Sequence, residues 1–204
     1  MSERGRLIAF EGGEGSGKST QAERLACALG AVLTREPGGT TTGEAIRRVL
    51  LDPAVSIDAR AEVLLMAAAR AQHVAEVVEP TLASGRDVVT DRYAHSSLAY
   101  QGHGRGLDLE EVRRLSDWAA AGLWPDVAIL LEVPPEESLA RRHAIGHAPD
   151  RLEAEDEAFH RRVEEGFRAL AAADPERTLV VDGTGSVDEV AARVRSAFDA
   201  WAGR

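Results

Sequence analysis

Eight residues constrain this chain more than any other feature: Gly12-Gly13-Glu14-Gly15-Ser16-Gly17-Lys18-Ser19. They follow the apolar run Leu7-Ile8-Ala9-Phe10, open a helical stretch, and match the phosphate-binding pattern G-x-x-x-x-G-K-[ST]. Glycines let consecutive backbone N–H groups converge on phosphate oxygens, and the following helix presents its positive end to them. Lys18 would reach the β- and γ-phosphates while the Ser19 hydroxyl coordinates Mg2+. A glycine-rich turn entering a helix would supply the glycines alone. Strand, loop, lysine and hydroxyl in order point instead to a nucleoside triphosphate bound with Mg2+ through Gly12 to Ser19 and the adjoining Thr20.

A strand that feeds such a loop belongs to an α/β fold, and the rest of the chain has that rhythm. Leu7 to Phe10, Ala31 to Thr34, Asp87 to Thr90, Val127 to Leu131 and Thr178 to Val181 are short aliphatic runs, too short for ordinary helices. Between them lie segments with helical spacing, as in Ala61, Leu64, Leu65, Ala68, Ala71, Val74, Ala75 and Val78. Pro80 is expected to bend or end that long helix. The pattern predicts one domain over residues 1–204, built on a five-stranded parallel sheet flanked by helices. Loop signals fall at residues 36–43, 101–106 and 146–149, the last suited to a mobile lid.

Composition excludes several functions. The formal charge is −10, with 34 acids against 24 bases, which argues against a surface built to bind nucleic-acid polymers. One cysteine, Cys27, permits no internal disulfide and accords with a reducing cytoplasm. The polar start, Met1 to Arg6, reaches Gly12-Gly13 too soon for a signal peptide, and no apolar run is long enough to span a membrane. Of the 24 bases, 23 are arginines; Lys18 is the one lysine, and asparagine is absent. Guanine recognition through Asn-Lys-x-Asp is therefore ruled out. The third strand candidate runs into Asp91-Arg92, a carboxylate and a guanidinium at the sheet edge where α/β folds bind ligands. Asp91 could hold Mg2+ through water and Arg92 could grip an acceptor's phosphate, although a surface ion pair would look the same.

Three further segments join the phosphate loop: Thr34-Arg35-Glu36-Pro37-Gly38-Gly39-Thr40, Asp91-Arg92-Tyr93, and Ser96-Ser97-Leu98-Ala99-Tyr100-Gln101-Gly102. With Phe10 to Thr20, with Ala61-Glu62 to Val74 and with Asp150-Arg151-Leu152-Glu153, they resemble the bacterial thymidylate (dTMP) kinases over essentially the whole chain. The resemblance implies the three-layer P-loop kinase fold with a short lid at about residues 142–152. It also implies transfer of the ATP γ-phosphoryl group to the 5′-phosphate of dTMP in dTTP synthesis, and a homodimer formed through helices beside the active site. By matching position, Arg47 and Arg92 are the implied phosphate grips. Arg70 and Gln101 would read the thymine edge with Ser97 beside them. Tyr100 would pack below the deoxyribose and Glu14 would face the acceptor sugar. Arg35, Glu36 and Pro37 complete the implied dTMP site.

The chemistry is consistent with such a site. Phosphoryl transfer asks a protein to align two anions and neutralise the migrating charge, and bidentate arginines suit the acceptor. The phosphate loop carries no arginine, so the resemblance implies that a basic lid supplies one, with Arg141, Arg142 and Arg151 as candidates. Met66 stands where relatives carry an aromatic ring that stacks on thymine; it keeps apolar contact without the flat face. His143 with His147, and His95 with His103, are the pairs a metal reading would need, but no carboxylate has the spacing of a known metal motif. Glu153, Glu155, Asp156 and Glu157 read as the start of a helix. Asp182-Gly183-Thr184-Gly185 resembles the family's adenine-contacting loop, or is a plain turn. Another nucleoside or nucleoside monophosphate kinase, and a non-catalytic nucleotide switch, are the competing functions.

Overall fold

Alternate residues of a strand face opposite ways, and in the Leu7–Glu11 strand (β1) both directions end in apolar packing. Ile8 and Phe10 join a cluster with Val89, Ile129 and Leu131 on one face; Leu7 and Ala9 join Val88, Val78 and Leu82 on the other. Burial on both faces is why the run is continuously aliphatic. The structure, a computed structural model, describes residues 4–146 and 149–203, with the side chains of residues 142–145 outside that description.

After β1 come α1 (Lys18–Leu29), β2 (Val32–Arg35), α2 (Thr41–Leu51), α3 (Ala59–His73), α4 (Glu79–Ala83), β3 (Val88–Asp91) and α5 (Ala94–Ser97). Then follow α6 (Leu109–Ala119), β4 (Val127–Glu132), α7 (Pro135–Ile145), α8 (Glu157–Ala173), β5 (Thr178–Asp182) and α9 (Val187–Ala202). The five strands form one sheet in the order β2-β3-β1-β4-β5, every pairing parallel, as expected. Residues Ala22, Leu25, Val190, Val194 and Phe198, from α1 and α9, cover one face. Val74, Val78 and Leu82 cover the other near β1 and β3, and a third cluster packs Phe159, Val163 and Phe167 of α8 against Leu130 and Tyr100.

Each strand runs at least one residue beyond the aliphatic stretch, because backbone pairing continues past the last apolar side chain: Arg35 still pairs with Asp91 and Glu132 with Asp182. All five strands thus end in a charged residue, Glu11, Arg35, Asp91, Glu132 and Asp182. The carboxyl edge of an apolar sheet becomes a polar rim.

Two helical expectations need correction. Pro80 does not end the long helix: a π-helical stretch, Val74–Val78, follows α3, and Pro80 then sits in the first turn of α4, which runs on to Ala83. Likewise Leu98–Gly104 is π-helical, not loop. Its glycines mark close packing, since a Cβ on Gly104 would lie 2.7 Å from Phe159 and one on Gly102 2.4 Å from Leu109. The acidic cluster does open a helix, with the Asp156 side chain accepting from the Phe159 N–H at the start of α8. Among the described residues, no helix is long and apolar enough to cross a membrane.

Candidate active site

The loop from β1 to α1 needs its glycines. Gly12, Gly15 and Gly17 have φ of 144°, 73° and 87°, and a Cβ on Gly12 would fall 2.7 Å from the Leu131 carbonyl oxygen. Gly17 caps α1, so the loop's N–H groups and the helix's positive end face one concavity. Lys18 is 6% exposed; its Nζ donates to the Gly13 carbonyl at 3.2 Å and lies 3.6 Å from Glu14. Ser16 Oγ is buried without a partner. Thr20 is exposed in the first turn of α1.

Beside the loop, Ser19 Oγ donates to Asp91 Oδ2 at 2.5 Å, and Asp91 Oδ1 is buried without a hydrogen-bond partner. A hydroxyl and a carboxylate with a spare buried oxygen form an all-oxygen donor set of the kind that suits Mg2+.

Arg92 has φ of 70°, a conformation side-chain-bearing residues rarely adopt. It swings the guanidinium back under the phosphate loop, where it donates to the Gly12 carbonyl (3.0 Å), Ser96 Oγ (3.0 Å), the Tyr100 hydroxyl (2.9 Å) and the Glu14 carboxylate. The guanidinium also lies over the Tyr100 ring. Burial alone would raise the Glu14 pKa, but the charges of Arg92 and Lys18 hold it well below the ordinary carboxylate range. Burial would by itself lower the Arg92 pKa, but Glu14, Tyr100, Asp91 and Glu11 together push it up. Beneath this pair, Glu11 accepts from the Tyr93 N–H and from Ser96 Oγ, and burial raises its pKa to about 7.

From here a pocket of about 260 Å³ opens between α2, α3 and the π-helical stretch. Every acceptor-site residue expected from the sequence lines it: Glu14, Arg35, Glu36, Pro37, Arg47, Met66, Arg70, Arg92, Ser97, Tyr100 and Gln101, with Lys18, Ser19 and Asp91 at its mouth. The sequence elements that bring them together are far apart in the chain, and the sheet edge is what joins them.

Arg70 is 3% exposed and held from three sides. Its Nε donates to Glu36 Oε2 (2.8 Å), Nη2 to Ser97 Oγ (3.0 Å) and Nη1 to Ser116 Oγ (3.3 Å). The other Glu36 oxygen lies 2.9 Å from His73 Nδ1, and His73 Nε2 lies 2.7 Å from Thr34 Oγ1. Arg47 donates to the Pro37 carbonyl; burial, then the nearby Arg35 charge, lowers its pKa. Arg35 itself is exposed and paired with Glu44. Gln101 donates its side-chain N–H to Glu62, which lies behind the pocket.

The three lid arginines separate. Arg141 of α7 reaches the phosphate loop: Nη1 lies 3.4 Å from the Ser16 carbonyl, and Nη2 contacts the Gly183 carbonyl at 2.8 Å and Glu137. This also brings the loop 182–185 beside the phosphate loop, with a Cβ on Gly183 only 3.4 Å from the Ser16 carbonyl. Arg151 is turned away; its Nε donates to the Leu50 carbonyl (2.7 Å) and Nη2 lies 2.7 Å from Glu62. The Asp-Arg-x-Glu segment packs on the end of α2, and a buried carboxylate draws the guanidinium inward. The Arg142 side chain and His147 lie outside the described residues.

Sequence reasoning missed the groups behind the contacts: Glu11, Glu62, His73 and Ser116. Glu62 and His73 sit on the Val63-Ala67-Arg70 side of α3, so a buried acid and histidine inside an otherwise apolar face were the available signal.

Comparison with known proteins bears on this site directly. The family model described as Thymidylate kinase matches residues 10–194. The thymidylate kinase of Synechococcus sp. (strain JA-2-3B'a(2-13)) is 50% identical over 204 residues, covering 95% of this chain and 94% of that protein. That of Leifsonia xyli subsp. xyli is 52% identical over 200 residues, covering 96% and 95%. That of Deinococcus radiodurans is 48% identical over 198 residues, covering 95% and 96%.

Proposed function

Because the chain belongs to the thymidylate kinase family, we propose that it transfers the γ-phosphoryl group of ATP to the 5′-phosphate of dTMP, yielding dTDP and ADP. The observation that supports this reading is that Lys18 of the phosphate loop, Ser19 and Asp91 line one pocket with Arg47 and Arg92, cations enough for a second anion beside a nucleotide phosphate. A non-catalytic nucleotide switch has no use for the second.

In this reading an oxygen of the dTMP phosphate attacks the γ-phosphorus, the bond from that phosphorus to the β,γ-bridging oxygen breaks, and ADP departs. The acceptor is already an anion, so no general base is required. Lys18 and the loop N–H groups hold the β- and γ-phosphates, while Arg92 and Arg47 bring the acceptor phosphate into line. Ser19 and Asp91 would hold Mg2+, which supplies charge neutralisation at the triphosphate. Arg141, seated against the phosphate loop, is the described lid-flank arginine best placed to meet charge developing on the phosphates.

At the other end of the pocket Arg70 faces the thymine O4 and Gln101 its N3–H, Met66 supports the ring, and Ser97 steadies Arg70. Tyr100, its hydroxyl tied to Arg92 and Glu14, forms the wall below the sugar. Two copies would pair through α2, α3 and α6, a reading supported by the exposed Val49, Leu64 and Trp118. The free, exposed Cys27 accords with a cytoplasmic setting.

An ADP-release assay with dTMP, dUMP, dCMP and dAMP as acceptors tests the activity. Turnover with dTMP well above the others is expected; ATP binding without dTMP-dependent ADP release would sink the reading.

A further inference from the structure

Glu62 is fully buried, and its carboxylate is shared by two hydrogen-bond donors, Gln101 and Arg105, and an ion-pair partner, Arg151, from distant parts of the chain. Gln101 Nε2 lies 2.9 Å from Oε1, Arg105 Nε 3.2 Å from Oε1 with its Nη2 2.9 Å from Oε2, and Arg151 Nη2 2.7 Å from Oε2. Burial would by itself raise the Glu62 pKa, but the hydrogen bonds from Arg105 and Gln101 and the Arg105 charge draw it below the ordinary value. Glu62 is therefore ionised, and an ionised carboxylate only accepts.

That restriction has a chemical consequence for Gln101. A carboxamide has one donor end and one acceptor end, and packing shape hardly distinguishes them. An accept-only neighbour fixes which is which: the NH2 end must turn to Glu62, leaving Oε1 on the opposite side, toward the pocket that Gln101 lines. Arg70, which can only donate, lines the same pocket. The pocket lining thus includes a donor, Arg70, and an acceptor, the Gln101 oxygen. A 4-oxo pyrimidine such as thymine or uracil presents the complement, an O4 acceptor next to an N3–H donor. A 4-amino pyrimidine such as cytosine presents the reverse, an amino donor next to a bare N3.

We propose that Glu62 is a positioning residue that sets the polarity of the Gln101 amide and so makes the acceptor site selective for 4-oxo over 4-amino pyrimidine nucleotides. Arg105 and Arg151 keep Glu62 in the form that does this, which gives Arg151 a role at the base end of the site. The proposal rests on the reading of the pocket as a dTMP site.

The test is Glu62→Gln, a change of nearly equal shape. The new carboxamide turns its oxygen to the arginines and its NH2 to Gln101, whose own amide then flips. Dissociation constants for dTMP, dUMP and dCMP are measured on wild type and variant, with urea unfolding of each to record any loss of fold. Expected are dTMP and dUMP binding weakened together by about tenfold, with dCMP binding unchanged or tightened, the size of one misplaced hydrogen bond. A shift of all three by the same factor, or of none, overturns the proposal.

If the variant does not fold, wild type decides. The Gln101 side-chain amide is observed by NMR in glutamine-labelled protein, assigned by its loss in Gln101→Met, and titrated with dTMP. Amide protons that stay in place support the bond to Glu62; a large shift on dTMP binding overturns it. A wild-type enzyme that releases no ADP in response to dTMP would instead overturn the proposed activity, and this inference with it.

Discussion

Replacing Glu36 by alanine would strip the carboxylate from between two buried partners, Arg70 and His73, whose side chains are 3% and 0% exposed. The Arg70 guanidinium would keep its hydrogen bonds to Ser97 and Ser116 and its place over the Tyr93 ring, and none of these carries charge. Breaking a buried ion pair from one side costs about 3–5 kcal/mol, because the remaining charge stays desolvated. For a chain of this size each kcal/mol lowers Tm by about 2–4 °C, so a fall of roughly 6–20 °C is expected. Urea unfolding and thermal melts measure it directly. The companion variant Glu36→Met with Arg70→Met replaces both charges by apolar groups; it should recover most of the stability while losing dTMP binding, since well-packed apolar replacements of buried pairs are often neutral. Steady-state kinetics on Glu36→Ala should show KM for dTMP rising with KM for ATP little changed, because the carboxylate acts on Arg70 alone among the substrate-facing groups. A stability loss under about 1 kcal/mol would refute this account of how Arg70 is held, as would a double variant no more stable than the single.

Lys18→Arg should lower kcat by about a hundredfold, since the bulkier guanidinium cannot occupy the space among Gly13, Glu14 and the phosphates; near-normal turnover would show the lysine to be dispensable. Arg141→Ala should reduce kcat and ATP affinity, whereas Arg151→Ala should raise KM for dTMP and lower Tm through Glu62; the opposite split in steady-state kinetics would restore Arg151 to the phosphates. Met66→Phe should tighten dTMP binding several-fold by adding a flat ring beneath the base, and calorimetry showing no gain would place the base elsewhere. Burial raises the Glu11 pKa from 4.5 to about 7, so the native state holds its proton more tightly and wild-type stability declines as pH rises through that window. Glu11→Gln should lack that decline, with a relative gain of up to ~3 kcal/mol between pH 4 and pH 8; parallel stability–pH curves would refute the assignment.

The aliphatic runs disclosed the sheet, continuous in β1, β3 and β4 because both faces are buried, although Leu33 and Val180 of the edge strands stay exposed, and the phosphate loop declared itself through glycines, lysine and hydroxyl in order. What stayed hidden was coupling across the chain. The place of Glu62 on the Val63-Ala67 side of α3 hints at burial, but nothing in its spacing names its partners, because Gln101, Arg105 and Arg151 arrive from elsewhere. Arg151 shows the same coupling: a basic residue beside a lid motif suggests phosphate, while the buried Glu62 carboxylate lies 2.7 Å from its guanidinium. The glycines of the 101–106 segment read as a turn, and Gly106 does lie in one, yet Gly102 and Gly104 serve to admit Leu109 and Phe159 against a helix. Local sequence reports what a residue permits; tertiary neighbours decide which permitted use is taken.

The lone lysine gains meaning from the arginines around it. Arg35, Arg70 and Arg92 are each paired with an acid, Glu44, Glu36 and Glu14, so a chain of net charge −10 holds its binding cations in place before any anion arrives. The pairs differ in what an incoming phosphate can do to them. Arg70–Glu36 is sealed from solvent and keeps its acid, fixing a donor toward the base. Arg35–Glu44 is exposed, weakly held and free to exchange partners. Arg92 lies between these extremes: Glu14 supports it alongside Gly12, Ser96 and Tyr100, so substrate can take one face of the guanidinium without disordering it. Fixed, planar donors suit an acceptor that must be aligned. Lys18, the one lysine in the chain, is a compact charge on a flexible stem, which suits the moving phosphoryl group.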